Sequence, residues 1–449
     1  MAPFKLDTPN RPSLPSPPRV EILWNDFPYK LSTHIVEAFP FRACPEFEYL
    51  QDTKEAHARM QALAVDAKQM RIKIVRENTQ AMFRWQEQSV NSTRQGNSNA
   101  ASDPSQPRLW ICLNRYVKND IERLPRKTQG LTLFLANALG MNKEAWEPFI
   151  RCLFKTHPGK DIDEIWAWEP VDSGDSALLN AGNLKYLSNW SDLTNDLLHF
   201  FLHYMPSRIT SDQLPVHLPR VSSFEYENRV KHGFAERRII VIGHSYGGSI
   251  CVPACYTHPQ LFTALVLSDP PIIRRGGLNN KEKQTVKSFI QASFARRDGW
   301  KTREEALAAF QHSSYSGTWH PDALKQFVDH GLYFRPDTGL VHLKMHPVYE
   351  ALNMACAWGA MSNIYDIVPD ISEKLYIKWV MPDEKNGGGL DVPSGNKLLV
   401  KRRPGNTTHV NVADTSHHIP LEKPNEYARE VANTIEQAFA TQVPVLARM

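Results

Sequence analysis

The segment Val241–Ile250 contains the clearest candidate for catalysis in this 449-residue sequence. It reads V-I-G-H-S-Y-G-G-S-I, which places Ser245 between Gly243 and Gly247 directly after an apolar run. In a sharp turn between a strand and a helix, G-x-S-x-G raises the serine hydroxyl above the edge of a sheet as a nucleophile. The backbone N–H of Tyr246, at the start of the helix, would then donate to an oxyanion. A serine that only caps the helix is the alternative, and the flanking elements favour the nucleophile.

A nucleophilic serine needs a base, and the segment D-T-S-H-H-I-P-L-E-K-P offers two neighbouring candidates, His417 and His418. The segment follows a predicted strand and precedes the last predicted helix. Both histidines therefore lie on a loop at the sheet edge expected for Ser245. His244, inside the turn motif, is predicted to point beneath the turn in a structural role.

Two aspartates that end predicted strands are candidates for the acid that orients the histidine. Asp269 closes A-L-V-L-S-D-P-P, and Asp383 closes Y-I-K-W-V-M-P-D. Each could also be a turn former, the commonest use of a loop aspartate. The two prolines after Asp269 would stiffen its loop, whereas a glycine-rich run follows Asp383. The residues therefore favour Asp269 and leave Asp383 as the alternative acid.

The elements that must position these residues alternate between strands and helices. Strand patterns recur in R-L-W-I-C-L-N-R-Y-V, G-L-T-L-F-L-A, I-D-E-I-W-A-W, R-R-I-I-V-I-G, A-L-V-L-S and K-L-Y-I-K-W-V, with helical patterns between several of them. This alternation predicts an α/β fold with a mostly parallel central sheet flanked by helices. From about residue 270 to 370 only amphipathic helical patterns occur, which indicates a helical cap inserted after the sixth strand.

These patterns predict four regions. Residues 1–107 form an N-terminal extension with a proline-rich tail, an insertion from about residue 50 and a polar, disordered loop. Residues 108–269 form the first part of the core, and residues 270–370 form the helical cap. Residues 371–449 complete the core and end in a targeting tail.

Composition excludes several classes of function. The formal net charge is only +4 and no basic stripe is interleaved with aromatic residues, which argues against a nucleic-acid partner. The apolar runs are far shorter than the ~18 residues that span a bilayer, so no membrane span is predicted. The six cysteines are scattered without a metal-binding spacing, which predicts free thiols and no metal. No organic cofactor is implied.

The chain resembles the α/β-hydrolases that carry a helical cap, and more narrowly a fungal peroxisomal group. That group includes the acyl-CoA thioesterase of mycophenolic acid biosynthesis, hydrolases of host-selective-toxin biosynthesis and the yeast peroxisomal lipase. The resemblance covers most of Leu109–Ala440 and depends on the turn motif together with N-K-E-A-W-E-P, S-G-D-S, L-S-D-P-P and S-H-H-I-P-L-E-K-P, which follow strands. Two cap segments, D-G-W-K-T-R-E-E-A and V-D-H-G-L, also read like this group.

The resemblance implies a catalytic triad of Ser245, Asp269 and His417, in the chain order of α/β-hydrolases. The group's closing loop has a small residue before the catalytic histidine, and Ser416 at that position favours His417 over His418. The oxyanion donors would be the N–H groups of Tyr246 and Leu139.

One departure from the group lies directly before the second oxyanion donor. Relatives carry His-Gly there, whereas this chain carries Asn137-Ala138. Alanine has a narrower range of backbone angles than glycine, which restricts the backbone directly before the second oxyanion donor.

The resulting expectation is a serine hydrolase that cleaves an acyl-CoA thioester or carboxylic ester through an acyl-enzyme on Ser245, in fungal secondary metabolism. A bulky or medium-chain acyl group is expected. The alternatives are a general lipase or carboxylesterase, and a non-catalytic ligand-binding member of the family. The basic pairs Arg274–Arg275 and Arg296–Arg297 are candidates for contact with coenzyme A phosphates, with a solvated surface as the alternative.

The sequence ends in Ala447-Arg448-Met449, which fits the small-basic-apolar form of the peroxisomal address. Together with the family resemblance, this tripeptide predicts a peroxisomal location and the peroxisomal import receptor as a partner. A cytoplasmic location is the alternative.

Overall fold

Eight of the ten strands in the described part of the chain form one sheet. The computed structural model describes residues 11–17, 19, 27–40, 42, 107–119, 121, 129–184, 190–272, 280–383 and 399–440. The strands are β1 Tyr29–Glu37, β2 Trp110–Lys118, β3 Gly130–Ala136, β4 Ile162–Trp168, β5 Arg237–His244, β6 Ala264–Ser268, β7 Leu332–Arg335, β8 Leu340–Leu343, β9 Tyr376–Pro382 and β10 Thr407–Val412.

The order of strands in the large sheet is β1-β2-β4-β3-β5-β6-β9-β10. Strand β2 is antiparallel to both of its neighbours, and the other neighbouring pairs are parallel. Strands β3, β6 and β9 are buried along their whole length, as expected for a parallel sheet that is covered on both faces. The predicted α/β class with a mostly parallel sheet is therefore confirmed.

Helices cover both faces of the sheet. The described helices are α1 Glu147–Phe154, α2 Gly174–Leu179, α3 Trp190–His203, α4 Ser223–His232, α5 Tyr246–Thr257, α6 Asn280–Ala295, α7 Arg303–Gln311, α8 Pro321–Gly331, α9 Pro347–Ile367, α10 Ile419–Glu422 and α11 Pro424–Ala440. Along β5, Ile239 and Val241 face a core formed with α3, α5 and α9, whereas Ile240 and Ile242 face a core formed with α1 and α11. The strand therefore alternates between two apolar layers.

The segment between β6 and β9 contains the helical cap, α6 to α9. Thr302 accepts a hydrogen bond from the Glu305 N–H at 3.2 Å and so caps α7. The structure adds two features that we did not predict, the β7–β8 hairpin and the 21-residue helix α9. A separate apolar cluster joins the cap to the loop after β3 and to α10, through residues such as Phe310, Phe327 and Leu421.

Strand β1 lies within the segment that the sequence patterns assign to the N-terminal extension. It pairs with β2 along nine residues, from Tyr29 opposite Lys118 to Glu37 opposite Trp110. Its buried residues include Ile35 and Val36, which extend the core to the edge of the sheet. The predicted insertion and polar loop of residues 50–106, and the predicted targeting residues 447–449, lie outside the described residues.

Residues 11–17 and 19, which we name the N-terminal segment, lie across both the core and the cap. The backbone carbonyl of Pro12 is 2.8 Å from His217 Nε2. The Ser16 hydroxyl donates to Asp175 at 3.1 Å and accepts from Lys344 of the cap at 3.3 Å. Arg19 pairs with the buried carboxylate of Glu147. No helix in the described ranges combines the length and apolarity needed to cross a membrane.

Candidate active site

Ser245 occupies the sharp turn between β5 and α5. Its backbone has φ 53° and ψ −125°, a left-handed conformation that is costly for a residue other than glycine. A Cβ atom on Gly247 would lie 2.4 Å from the carbonyl oxygen of Ala136, and one on Gly243 would lie 2.5 Å from Cα of Gly248. The glycines are thus required because backbone passes within contact distance at both positions.

His417 contacts the serine through one ring nitrogen and Asp269 through the other. The distance from His417 Nε2 to Ser245 Oγ is 2.7 Å, and the distance from Nδ1 to Asp269 Oδ2 is 2.6 Å. The Asp269 side chain is 5% exposed and that of His417 is 25% exposed, so the acid is buried while the imidazole reaches the surface of the site. The structure therefore brings together the three residues expected for the triad.

The two candidate acids have different partners. Asp269 follows β6 with φ 40°, and its N–H donates to the carbonyl of Val380 at 3.1 Å, which anchors the loop to β9. Asp383 follows β9 and accepts a hydrogen bond from the N–H of Asp414 at 3.0 Å. The carboxylate of Asp383 thus contacts the backbone of the loop that carries His417 and His418. Asp269 is the candidate acid that contacts the imidazole of His417.

The histidines beside the site are buried and neutral. His244 Nε2 donates to the backbone carbonyl of His417 at 2.8 Å, so this ring lies beneath the turn and holds the loop above it. Burial, with the neighbouring charge of His417, lowers the pKa of His244 to about 3. The same two causes lower the pKa of His418 well below its usual range. His244 acts by packing and hydrogen bonding, and His418 packs against neighbouring aromatic rings.

The loop after β3 packs against the first turn of α5. The carbonyl oxygens of Ala136 and Asn137 are the atoms closest to where a Cβ of Gly247 would lie. Ala138 is absent from the described non-glycine residues with positive φ, so it has a backbone conformation that alanine adopts without strain. The departure from His-Gly therefore requires no glycine at position 138. The N–H groups at the start of α5 have no acceptor within the helix, and Tyr246 is the first of them.

Glu422 is a residue of the site to which we assigned no contact from the sequence. We name residues 413–418, between β10 and α10, the histidine loop. Glu422 Oε2 accepts from the Ser416 N–H at 2.6 Å, and Oε1 accepts from the Ser416 hydroxyl at 2.5 Å. In the sequence, the only signal was that Glu422 follows Ser416 by six residues in the motif S-H-H-I-P-L-E-K-P, and this spacing does not show that the two residues form hydrogen bonds.

The basic pair of the cap already has acidic partners. Arg296 bonds to Glu350 with N–O distances of 2.5 and 2.6 Å, and its guanidinium lies over the ring of Tyr315. Arg297 bonds to Glu305 at 2.6 Å. These ion pairs compete with any phosphate at this position. The other basic pair, Arg274–Arg275, lies outside the described residues.

A second cluster of buried charges lies around Lys143. Its ammonium contacts Glu144 at 3.0 Å, Glu169 at 3.2 Å and Asp175 at 2.6 Å. Burial alone would lower the pKa of Lys143, but the carboxylates raise it well above its usual range. Within the described ranges, Cys112, Glu169 and Asp175 are close enough to hold a metal ion together. The lysine ammonium already balances both carboxylates, so this group of residues fits a structural ion network.

The serine, histidine and aspartate form a relay suited to nucleophilic catalysis. The imidazole can remove the Ser245 proton at Nε2 while Asp269 holds the N–H at Nδ1. The positive end of α5 and its free N–H groups lie next to the nucleophile, where negative charge would develop on a substrate carbonyl. This chemistry transfers an acyl group and needs no metal ion.

Residues 133–430 match the model of the alpha/beta hydrolase family, and the chain belongs to this family. The Type I acyl-CoA thioesterase mpaH of Penicillium brevicompactum is 26% identical over 314 residues, which cover 70% of this chain and 63% of that protein. The chain thus spans less than two thirds of the thioesterase.

Two further relatives are similar over shorter stretches of sequence. The peroxisomal membrane protein LPX1 of Saccharomyces cerevisiae is 26% identical over 49% of this chain and 54% of its own length. The structure of yeast peroxisomal alpha-beta-hydrolase Lpx1 matches with a TM-score of 0.57 at 20% identity, over 76% of this chain and 85% of that chain. The abhydrolase domain-containing protein AFT2-1 of Alternaria alternata is 27% identical over 45% of this chain and 84% of its own length. The resemblance to these fungal proteins is confirmed.

Proposed function

We propose that the protein is a serine hydrolase that cleaves an acyl thioester or a carboxylic ester through an acyl-enzyme on Ser245. The observation that carries the proposal is the continuous relay from Asp269 through His417 to Ser245, with distances of 2.6 and 2.7 Å. The backbone of Ser245, with φ 53°, supports it further, because strained conformations of this kind are concentrated at functional sites.

In the acylation step, His417 Nε2 takes the proton of the Ser245 hydroxyl while Oγ forms a bond to the carbonyl carbon of the substrate. The charge moves to the carbonyl oxygen, near the N–H of Tyr246 and the loop of Leu139. The tetrahedral intermediate then collapses, the bond to the thiol or alcohol breaks, and His417 gives its proton to the leaving group. The acyl group remains on Ser245 as an ester.

In the deacylation step, His417 removes a proton from water and the hydroxide oxygen bonds to the acyl carbon. The intermediate expels Ser245 Oγ, which regains the proton from His417, and the carboxylic acid leaves. Asp269 stays ionised throughout, because its role is to hold the imidazole tautomer and to balance the imidazolium charge.

The substrate class within this chemistry is a proposal based on similarity. The Penicillium brevicompactum relative is named a Type I acyl-CoA thioesterase, and the similar region covers 70% of this chain. We therefore place acyl-CoA thioesters with a bulky or medium-chain acyl group first and simple carboxylic esters second. We also propose a role in fungal secondary metabolism, on the basis of the same family resemblance.

The test combines an active-site probe with a substrate screen. A fluorophosphonate should label Ser245 covalently, and the Ser245→Ala and His417→Ala variants should each lose roughly 10⁶ in turnover. Ser288→Ala is a matched control, because its exposed hydroxyl donates only within helix α6. Acyl-CoAs of several chain lengths are compared with p-nitrophenyl esters. A wild-type protein that neither reacts with the probe nor cleaves any of these substrates would contradict the proposal.

We also propose a peroxisomal location. It is supported by the name of the yeast relative, a peroxisomal membrane protein, and by the form of the tripeptide Ala447–Met449. A fusion with a fluorescent protein at its N-terminus should give punctate fluorescence that coincides with a peroxisomal marker. Deletion of the tripeptide should make the signal diffuse. Diffuse fluorescence from the intact fusion would favour the cytoplasmic alternative.

A further inference from the structure

A short segment of the cap contacts both the histidine loop and helix α10. We name residues 312–320, between α7 and α8, the cap loop. The N–H of His320 donates to the carbonyl of Leu421 at 2.8 Å, and the side chain of Leu421 is buried in the apolar cluster of the cap. Helix α10, which directly follows the histidine loop, is therefore held by the cap as well as by the core.

Two aromatic rings of the cap loop lie against the second histidine of the histidine loop. The centroid of the His418 ring is 4.7 Å from that of the Tyr315 ring and 5.3 Å from that of the Trp319 ring, with interplanar angles of 77° and 64°. His418 is 8% exposed, and burial keeps it neutral. The residue directly after His417 thus packs against the cap rather than the solvent.

The carboxylate of Glu422 is the polar link between the two loops. Oε1 accepts from the hydroxyl of Thr318 at 2.6 Å and from the hydroxyl of Ser416 at 2.5 Å. Oε2 accepts from the N–H of Ser416 at 2.6 Å. One carboxylate, 9% exposed, therefore receives three donors, of which one belongs to the cap and two to the residue before His417.

These bonds restrain the backbone from which His417 extends. The N–H and hydroxyl of the preceding residue, Ser416, are held by Glu422, and the carbonyl oxygen of His417 is held by His244 from beneath. Hydrogen bonds to a carboxylate are among the stronger ones in proteins, so loss of one such bond is enough to change the populations of loop conformers. A displacement of about 1 Å at a reacting group can cost 10² in rate.

We propose that Glu422 is a positioning residue for His417, and that Thr318 couples this position to the cap. The inference rests on the proposed function and concerns the same site. It assigns to the cap, beyond covering the substrate, the task of holding the general base in line with Ser245. Turnover then depends on a cap residue that contacts neither Ser245 nor Asp269.

The experiment uses single substitutions in the full chain. Thr318→Val removes only the hydroxyl that donates to Glu422, at an exposed position where folding should be preserved. Thr318→Ser keeps a hydroxyl and is the rescue variant. Glu422→Gln keeps the size of the side chain and removes the charge. Thr338→Val is the control within the cap, because the three partners of its hydroxyl, the carbonyl of Arg335, the N–H of Leu340 and the ring of His342, all belong to the β7–β8 hairpin.

Three quantities are measured for each variant. They are kcat and KM for a cleaved substrate, the rate of covalent labelling by the fluorophosphonate, and the low-field proton resonance of the hydrogen bond between His417 Nδ1 and Asp269. We expect kcat and the labelling rate to fall about 10-fold for Thr318→Val and about 10² for Glu422→Gln, with KM within twofold. The low-field resonance should broaden or shift in both variants. Thr318→Ser and Thr338→Val should behave like the wild type.

The outcomes separate this inference from the proposed function. Normal labelling, kcat and resonance in Thr318→Val and Glu422→Gln would overturn the inference while the proposed function stands. Equal losses in Thr318→Val and Thr338→Val would also overturn it, because the effect would then be general to cap hydroxyls. A wild-type protein without labelling or hydrolysis would overturn the proposed function, and the positioning role would fall with it.

Discussion

Replacing Asp269 with asparagine tests the relay most directly. The carboxylate Oδ2 lies 2.6 Å from His417 Nδ1 and is nearly buried, so solvent screens the interaction weakly. At that distance and an effective dielectric constant of about 20, the attraction between a carboxylate and an imidazolium is roughly 6 kcal/mol. The imidazolium forms only as the reaction proceeds, so this attraction acts on the barrier. At about 1.4 kcal/mol per factor of ten, Asp269→Asn should lower kcat by roughly 10⁴.

The control is Asp383→Asn. Asp383 accepts from the N–H of Asp414 at 3.0 Å, and the amide oxygen of asparagine can accept the same hydrogen bond. We expect kcat of this variant to stay within about threefold of the wild type. The assay is steady-state turnover of a cleaved ester or thioester, with the labelling rate as a second measurement that is independent of the leaving group. A loss of about 10³ in Asp383→Asn, together with a nearly normal Asp269→Asn, would move the acid to the end of β9.

Three further changes test the surroundings of the site. Gly247→Ala should abolish labelling of the serine, because the new Cβ would lie within 2.5 Å of two backbone carbonyl oxygens; soluble protein with a normal labelling rate would contradict this. Arg19→Ala should lower the free energy of unfolding, measured in urea, by about 3 kcal/mol, because Glu147 is left buried without its cation. The double variant Arg19→Ala with Glu147→Gln should recover most of this loss. The control Arg208→Ala removes an exposed ion pair and should cost less than about 1 kcal/mol. Burial lowers the pKa of His34 to about 4, so the unfolded state binds more protons than the folded state, and the free energy of unfolding should decrease as the pH falls from about 6.5 to about 4. His34→Asn should reduce the slope of this free energy against pH by about one proton, and an unchanged slope would contradict the assignment.

The elements around Ser245 could be predicted because their signals are local. Strand β5, the turn and helix α5 follow one another within about 20 residues, and each has a characteristic pattern. The order of Asp269 and His417 along the chain was also available. The choice between Asp269 and Asp383 could not be made on geometry, because both follow strands at the same edge of the sheet. The choice depends on the path of the histidine loop, which decides the aspartate that the imidazole contacts, and the sequence of the loop does not show this path.

Strand β1 was missed for a different physical reason. Its nine residues mix exposed, half-buried and buried positions, and it sits at the edge of the sheet with β2 on one side and a single bridge from Ile35 to His217 on the other. An edge strand needs less apolar sequence than a central one, so the strand signal is weak. The contact of Glu422 with Thr318 spans 104 residues and depends on how the cap sits on the core. Contacts of this range have no signature in a single sequence.

The N-terminal segment has a consequence for how the chain is assembled during synthesis. Its Ser16 hydroxyl bonds to Lys344, which is 328 residues further along the chain. At about 5–20 residues per second, a ribosome takes on the order of 20–60 s to make the partner after the serine has left the exit tunnel. The N-terminal segment must therefore wait, without this contact, until the cap has been translated and folded. Their protection from a protease would mark the final step of maturation, and a nascent chain stalled before the cap would expose them.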